Sequence, residues 1–198
     1  VKSLLSYSSE ISIGYICLVK IISKFLFLLF GWKVKGSLPD GVTKAVMIAA
    51  PHTSNWDFLW ARCAFFILGI NLKYTIKNEL FFFPLGWILK SLGGIPIDRS
   101  KKTNMVEKMT ALFDQYDNLI LLITPEGTRS YSAEWKKGFY YIAEGAKVPL
   151  VLGYLDYDKK HAGIGPLFET SGDVEKDMKA IQNFYRNITP KYPEKGVK

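Results

Sequence analysis

A chain of 198 residues can bury one substantial hydrophobic core, and no Pro/Gly/Ser-rich stretch inside it divides it into two. Its 26 Lys and Arg against 18 Asp and Glu leave a formal net charge of +8, which favours anionic partners: nucleic acid, lipid headgroups or phosphorylated metabolites. Nucleic acid is disfavoured because the aromatic residues sit in apolar runs such as Phe81-Phe82-Phe83 and Tyr140-Tyr141, not interleaved with Arg. Cys17, Cys63, His52 and His161 are scattered, so neither a disulfide framework nor a metal cluster is expected.

The first element is an apolar stretch over Ile11–Phe30, interrupted by Lys20 and Lys24. A signal peptide would carry its charge ahead of the apolar run and a small-residue cleavage site after it; neither is present. Thirteen large aliphatic or Phe residues, at about −0.3 to −0.6 kcal/mol each, are offset by two lysines at up to about +3 kcal/mol each. At 100° per residue Cys17, Lys20, Ser23 and Lys24 share one arc, which suits a helix lying in a membrane interface. A spanning helix with snorkelling lysines and a helix packed on the protein's own core stay open beside it. Residues 1–31 are accordingly read as a membrane-interface helical segment and 32–198 as the folded domain.

Lys44–Ala50, bounded by Pro39-Asp40-Gly41 and Pro51, reads as a buried strand, followed by a helix capped by Ser54 or Asn55, with Asp57 in its first turn and Phe58–Leu68 supplying its apolar face. Leu72–Ile76 predicts a strand, Pro84–Leu92 a short helix, Gly94–Ile97 a strand and Met105–Tyr116 a helix. Asn118–Ile123 predicts a further strand, then a polar loop over Pro125–Ser130, a helix over Phe139–Ala146 and a strand over Val148–Leu155. A weak hairpin-like stretch over His161–Phe168, a helix over Asp173–Ile188 and a frayed tail over Pro190–Lys198 complete the chain. Strands and helices alternating at these lengths predict an α/β fold: a mixed, largely parallel sheet flanked by helices. Its ligands are expected at the carboxyl edge of the sheet.

Polar residues follow three of these strands. His52 stands at the first strand-to-helix turn and Asp57 in the first helical turn, so the carboxylate can hold one imidazole nitrogen and leave the other facing a hydroxyl. The pair alone arises by chance roughly one time in five at ordinary composition, and the plainer reading is a turn histidine beside a dipole-complementing aspartate. Glu126-Gly127-Thr128-Arg129 is a more demanding string: Gly127 admits close backbone approach and Arg129 offers a fork for phosphate, against the plainer reading of a surface turn with an ion pair. Arg99 after Ile97-Asp98, and Lys77, Lys136 and Lys137, are further phosphate candidates. Nothing matches a nucleophile elbow, a GxxxxGK[ST] loop or a GxGxxG fingerprint, so direct transfer is simpler than a covalent acyl-enzyme.

Four blocks in order give these residues a context. His52-Thr53-Ser54-Asn55-Trp56-Asp57, Gly94-Ile95-Pro96-Ile97-Asp98-Arg99-Ser100, Pro125-Glu126-Gly127-Thr128-Arg129-Ser130 and Val148-Pro149-Leu150-Val151 resemble those of the glycerolipid acyltransferase family, whose first block is HxxxxD. Thr124 stands where the family often carries Phe. The resemblance implies that His52 is the general base and Asp57 its orienting partner. It implies that Arg99, Glu126, Gly127, Thr128 and Arg129 shape the acceptor's phosphate and glycerol site, with Pro149 lining the pocket and Lys77 assisting. It also implies an acyl donor, either acyl-CoA or acyl carrier protein, with no metal or other cofactor, a lysophospholipid acceptor, and membrane lipids as partners at the cytoplasmic face of the inner (plasma) membrane. The acceptor expected first is 1-acylglycerol-3-phosphate. Another lyso-lipid, such as an amino-acid-containing one, or a non-catalytic lipid-binding role on the same fold, are the alternatives.

Overall fold

The apolar run predicted over Lys44–Ala50 becomes an inner strand of a seven-stranded sheet, with Ala45, Val46, Met47 and Ile48 fully buried. The computed structural model describes residues 2–97 and 105–198, with side chains from residue 16 onward. Its elements in chain order are α1 (Lys2–Phe30), β1 (Lys33–Lys35), β2 (Lys44–Ala49), α2 (Trp56–Leu68), β3 (Leu72–Lys77), α3 (Leu85–Ser91), β4 (Gly94–Ile97), α4 (Met105–Gln115), β5 (Leu119–Ile123), α5 (Gly138–Ala146), β6 (Leu150–Asp156), β7 (His161–Phe168) and α6 (Val174–Tyr185). Short 3-10 turns occupy Asn78–Leu80 and Pro193–Lys195.

The strand order is β1-β7-β6-β2-β5-β3-β4. β6, β2, β5, β3 and β4 run parallel, β7 pairs antiparallel with β6, and β1 runs parallel to β7. The sheet is thus mixed and largely parallel, as predicted. The hairpin-like stretch is the antiparallel strand β7, and β1 was not legible in three residues of alternating Lys and Val.

Right-handed crossovers decide the layers. The steps β2 to β3 and β3 to β4 move toward one edge and put α2 and α3 on one face; β4 to β5 and β5 to β6 move back and put α4 and α5 on the other. The core follows the pleat of β2. Val46 and Ile48 pack with Met109, Phe113, Phe139, Tyr140 and Ile181 from α4, α5 and α6. Ala45 and Met47 face the opposite side, where Phe65 of α2 meets Leu72 and Tyr74 of β3.

Two terminal expectations change. The helical segment read over residues 1–31 is α1, and it docks on α2 through Ser23 and Phe27, beside the stacked rings of Trp32 and Trp60, whose centroids are 5.1 Å apart. Ser23, a member of the polar arc, therefore faces the protein, while Ile21, Phe25, Leu28 and Leu29 face outward. Among the described residues, no helix is long and apolar enough to cross a membrane. The tail predicted to fray is instead laid down on the body: Pro190 and Gly196 are buried and Val197 packs against the main core cluster. Within that tail the Tyr192 N–H donates to Thr53 Oγ1 (3.3 Å), which ties it to the loop after β2.

Candidate active site

β2 delivers the chain through a cis Ala50–Pro51 bond to His52, and α2 starts four residues later at Trp56. Neither of the predicted caps works alone. Asn55 occupies the N-cap position without a side-chain cap bond, and Ser54 Oγ accepts only from the Trp56 N–H (3.2 Å). The carboxylate of Asp57 reaches back instead, and its Oδ2 accepts the N–H groups of Thr53 (2.8 Å) and Ser54 (2.9 Å). The aspartate thereby ties the loop ahead of the helix to its first turn and is itself aimed at that loop.

The same oxygen accepts His52 Nδ1 at 3.1 Å, while Oδ1 accepts the Tyr157 hydroxyl at 2.6 Å. Burial pushes the Asp57 carboxyl upward, but the bonds from His52, Tyr157 and the Ser54 N–H outweigh it and hold the group below the ordinary carboxylate range. Burial, together with Asp57, drives the Tyr157 phenol far above its ordinary range, so it stays a donor. With the Nδ1 proton committed to Asp57, Nε2 of His52 is the ring's acceptor.

Tyr157 is the site residue that sequence reading did not find. It lies 100 residues beyond Asp57, just past β6, with its N–H bonded to Thr189 O (2.8 Å) and its ring edge-on to Trp32 (5.0 Å). No local motif marks it; only the pairing of β6 beside β2 brings it to the carboxylate.

Glu126 stands behind His52. Both of its oxygens accept the His52 backbone N–H, at 3.1 and 3.3 Å, and the side chain is buried. Burial pushes its carboxyl up to about 7, against the lowering effect of the His52 N–H. Gly127 follows at φ 65°, a left-handed conformation that favours glycine, and an added Cβ would stand 2.5 Å from Lys136 Nζ. Thr128 Oγ1 accepts the Ser130 N–H (3.2 Å) and stiffens the turn.

These residues open on a cleft of about 1270 Å3 at the carboxyl edge of the sheet. His52, Asp57, Gly127, Thr128, Arg129 and Lys136 line its polar end, with Arg129 and Lys136 exposed; Phe58, Phe65, Leu68 and Leu72 line part of its apolar extent. The other predicted positions lie elsewhere. Glu126 is not a lining residue, because its carboxylate is turned to the His52 backbone. Pro149 precedes β6 at the amino edge, where its carbonyl accepts the Val46 N–H, and the cleft opens at the opposite edge. Lys77 ends β3, exposed and outside the lining. Arg99 lies outside the described residues.

Among the described residues, no group of His, Cys, Asp and Glu is arranged to hold a metal ion. The arrangement can take a proton from a hydroxyl at Nε2 and offer Arg129 and Lys136 to an anion in the same cleft.

Comparison with known proteins adds the family. A curated 1-acyl-sn-glycerol-3-phosphate acyltransferase from Saccharomyces cerevisiae is 31% identical over 117 residues, which cover 54% of this chain and 37% of the yeast protein. The match thus spans little more than a third of that relative's length. The crystal structure of the 1-acyl-sn-glycerophosphate (LPA) acyltransferase PlsC from Thermotoga maritima shares the fold, with a TM-score of 0.62 at 15% identity over 89% of this chain and 80% of that one. The family model described as acyltransferase matches residues 33–152, from β1 into β6 and across the polar end of the cleft from His52 to Arg129 and Lys136, and the chain belongs to that family.

Proposed function

We propose that this protein is an O-acyltransferase that moves a fatty acyl group from acyl-CoA or acyl carrier protein to the hydroxyl of 1-acylglycerol-3-phosphate, giving phosphatidic acid and the free thiol. The observation that carries the reading is the His52–Asp57 pair, 3.1 Å apart, with Nε2 left as acceptor in the cleft that Arg129 also lines.

The acceptor hydroxyl hydrogen-bonds to His52 Nε2, and its proton passes to the ring as the oxygen attacks the thioester carbonyl. Asp57 keeps the tautomer and stabilises the imidazolium. The tetrahedral intermediate collapses, the carbon–sulfur bond breaks, and the departing thiolate takes the proton back from His52. Base assistance of this kind contributes about 10²–10⁴-fold. Arg129 and Lys136 supply cationic groups for the acceptor's phosphate, with Thr128 beside them and Arg99 as a further cation; Glu126 acts through the His52 backbone. No metal or other cofactor enters these steps.

The outward apolar face of α1 supports membrane association, and a donor thioester made in the cytosol supports the cytoplasmic face of the inner (plasma) membrane. The test is turnover by purified protein in micelles, with 1-acylglycerol-3-phosphate and acyl-CoA or acyl carrier protein, followed by thiol release and product identification. His52→Ala is expected to lose about 10²–10⁴-fold in kcat with acceptor binding retained. Unchanged kcat in that variant would remove His52 as the base, and product from a different lyso-lipid alone would reassign the acceptor.

A further inference from the structure

Between β3 and β4 the chain turns outward with its largest apolar side chains uncovered. Leu80, Phe82, Phe83, Trp87 and Ile88 are all exposed, Phe83 by 91% and Trp87 by 73%. The turn is tight: the Gly86 N–H donates to Phe82 O, and a Cβ on Gly86 would stand 2.6 Å from the Phe81 carbonyl, so the projection depends on glycine there. The core does not need these rings, and Phe81 to Ile88 supply none of the polar groups assigned to acyl transfer.

We propose that the segment Leu80–Ile88 is a wedge that enters the headgroup region of an anionic phospholipid bilayer, on the layer of the molecule that carries α1. Three observations select this partner. The first is placement. α3 lies on the same face of the sheet as α2, and α1 packs on α2. Phe30 of α1 meets Trp60 of α2 at 5.3 Å, and Phe58 of α2 meets Tyr74 of β3, the strand that leads into the wedge, at 5.4 Å. Trp56, Phe58 and Leu59, themselves exposed, stand on α2, the helix that makes both contacts. The second is composition, since Trp and Phe are the residues that settle at a membrane interface. The third is charge. In α1 from Ile16 to Phe30 and in Leu72–Ile97 the charged residues are Lys20, Lys24, Lys73, Lys77 and Lys90 against Glu79 alone, which is complementary to anionic headgroups.

A second copy of the chain fits less well. A ring exposed by 91% stands on a convexity, whereas residues that anchor protein interfaces sit in pockets, and a net charge of +8 opposes self-association. Because Tyr74 and Thr75 of β3 also line the cleft, insertion at the wedge brings the cleft wall toward the bilayer surface. That consequence, lateral entry of a lyso-lipid, rests on the acyl-transfer reading above; the docking itself does not.

The experiment uses the full chain and vesicles of phosphatidylglycerol and phosphatidylethanolamine, with phosphatidylcholine vesicles alongside. Phe83→Ser/Trp87→Ser is expected to weaken partition onto the anionic vesicles on the order of tenfold or more, with an unchanged unfolding midpoint because both side chains are exposed. An environment-sensitive fluorophore on Phe83→Cys in a Cys17→Ser background should shift to the blue when those vesicles are added; the remaining thiol, Cys63, is buried. Turnover of a water-soluble short-chain acceptor should be unchanged in the double variant while turnover of a vesicle-borne long-chain acceptor falls. A label that keeps its water-like emission on vesicle-bound protein, or a double variant that partitions like the parent, overturns the wedge. So does a parent dimer that the double variant converts to monomer with vesicle binding unaltered, which would assign the surface to a second copy. If neither protein turns over any acceptor but the double variant loses vesicle binding, the acyl-transfer reading fails and the wedge stands.

Discussion

Four donors converge on the two oxygens of Asp57: His52 Nδ1 and the N–H groups of Thr53 and Ser54 on Oδ2, and the Tyr157 hydroxyl on Oδ1. A carboxylate so held cannot rotate, and the imidazole bonded to it inherits its orientation. Tyr157 does not line the cleft, so its contribution passes through Asp57 and it is a positioning residue. Tyr157→Phe leaves Oδ1 without its donor while keeping the ring against Trp32. A hydrogen bond to a charged group is worth about 1.5–3 kcal/mol, so the variant should lose about 10- to 100-fold in kcat with little change in KM for either substrate. Steady-state kinetics in micelles separate the two constants; a rise in KM with kcat intact would show that Tyr157 touches substrate rather than Asp57.

At the scale of elements, the C-terminal segment does more than close the chain. Thr189 O accepts the Tyr157 N–H, the Tyr192 N–H reaches Thr53 Oγ1, and Lys191 Nζ lies 4.9 Å from the centre of the Trp56 ring. The segment thus braces both the loop that carries His52 and the residue that holds Asp57. Deleting residues 190–198 uncovers the core surface under Val197 and removes Pro190. The expected cost is about 2–4 kcal/mol, from the loss of two largely buried apolar side chains, read as a lower urea midpoint. Turnover should fall further than unfolding accounts for when measured where the truncated chain is still folded; full kcat in that truncated chain would confine the segment to a structural role. Local patterning could not foresee this, because Pro190-Lys191-Tyr192-Pro193 has neither helical nor strand periodicity and Thr53, the partner of Tyr192, lies 139 residues away. The apolar face of α1 is the complementary case. Its helical character was legible in the chain, but Ser23 turns inward and the apolar residues outward because docking on Trp60 and Cys63 selects that rotation.

Across the whole molecule, one buried carboxyl links stability to pH. Glu126 titrates at about 7 in the folded protein against an ordinary value of 4.5, because burial disfavours its charge. Between those values the unfolded chain has lost the proton and the folded chain keeps it, so the unfolded state binds fewer protons and stability falls as pH rises from about 4.5 to about 7, then levels. The full change is on the order of 3 kcal/mol at 1.36 kcal/mol per unit. Glu126→Gln keeps an oxygen for the His52 N–H and removes the titration. Urea unfolding at pH 5 and pH 7.5 should therefore show a decline in the parent that is absent in the variant; equal declines would place the titrating group elsewhere. The order of strands and helices apart from β1, the mixed sheet and the pairing of His52 with Asp57 were all determined by the sequence, because apolar runs, turn residues and a five-residue spacing are local quantities. So was the grouping of Gly127, Thr128 and Arg129. Tertiary structure alone decided that Tyr157 completes the Asp57 shell, that Glu126 turns to the His52 backbone instead of the cleft, that Pro149 falls at the far edge of the sheet, and that the tail is a brace. Each of these depends on which strands lie side by side and on which edge a residue emerges, and strand order and crossover hand set that across distances no window of sequence spans.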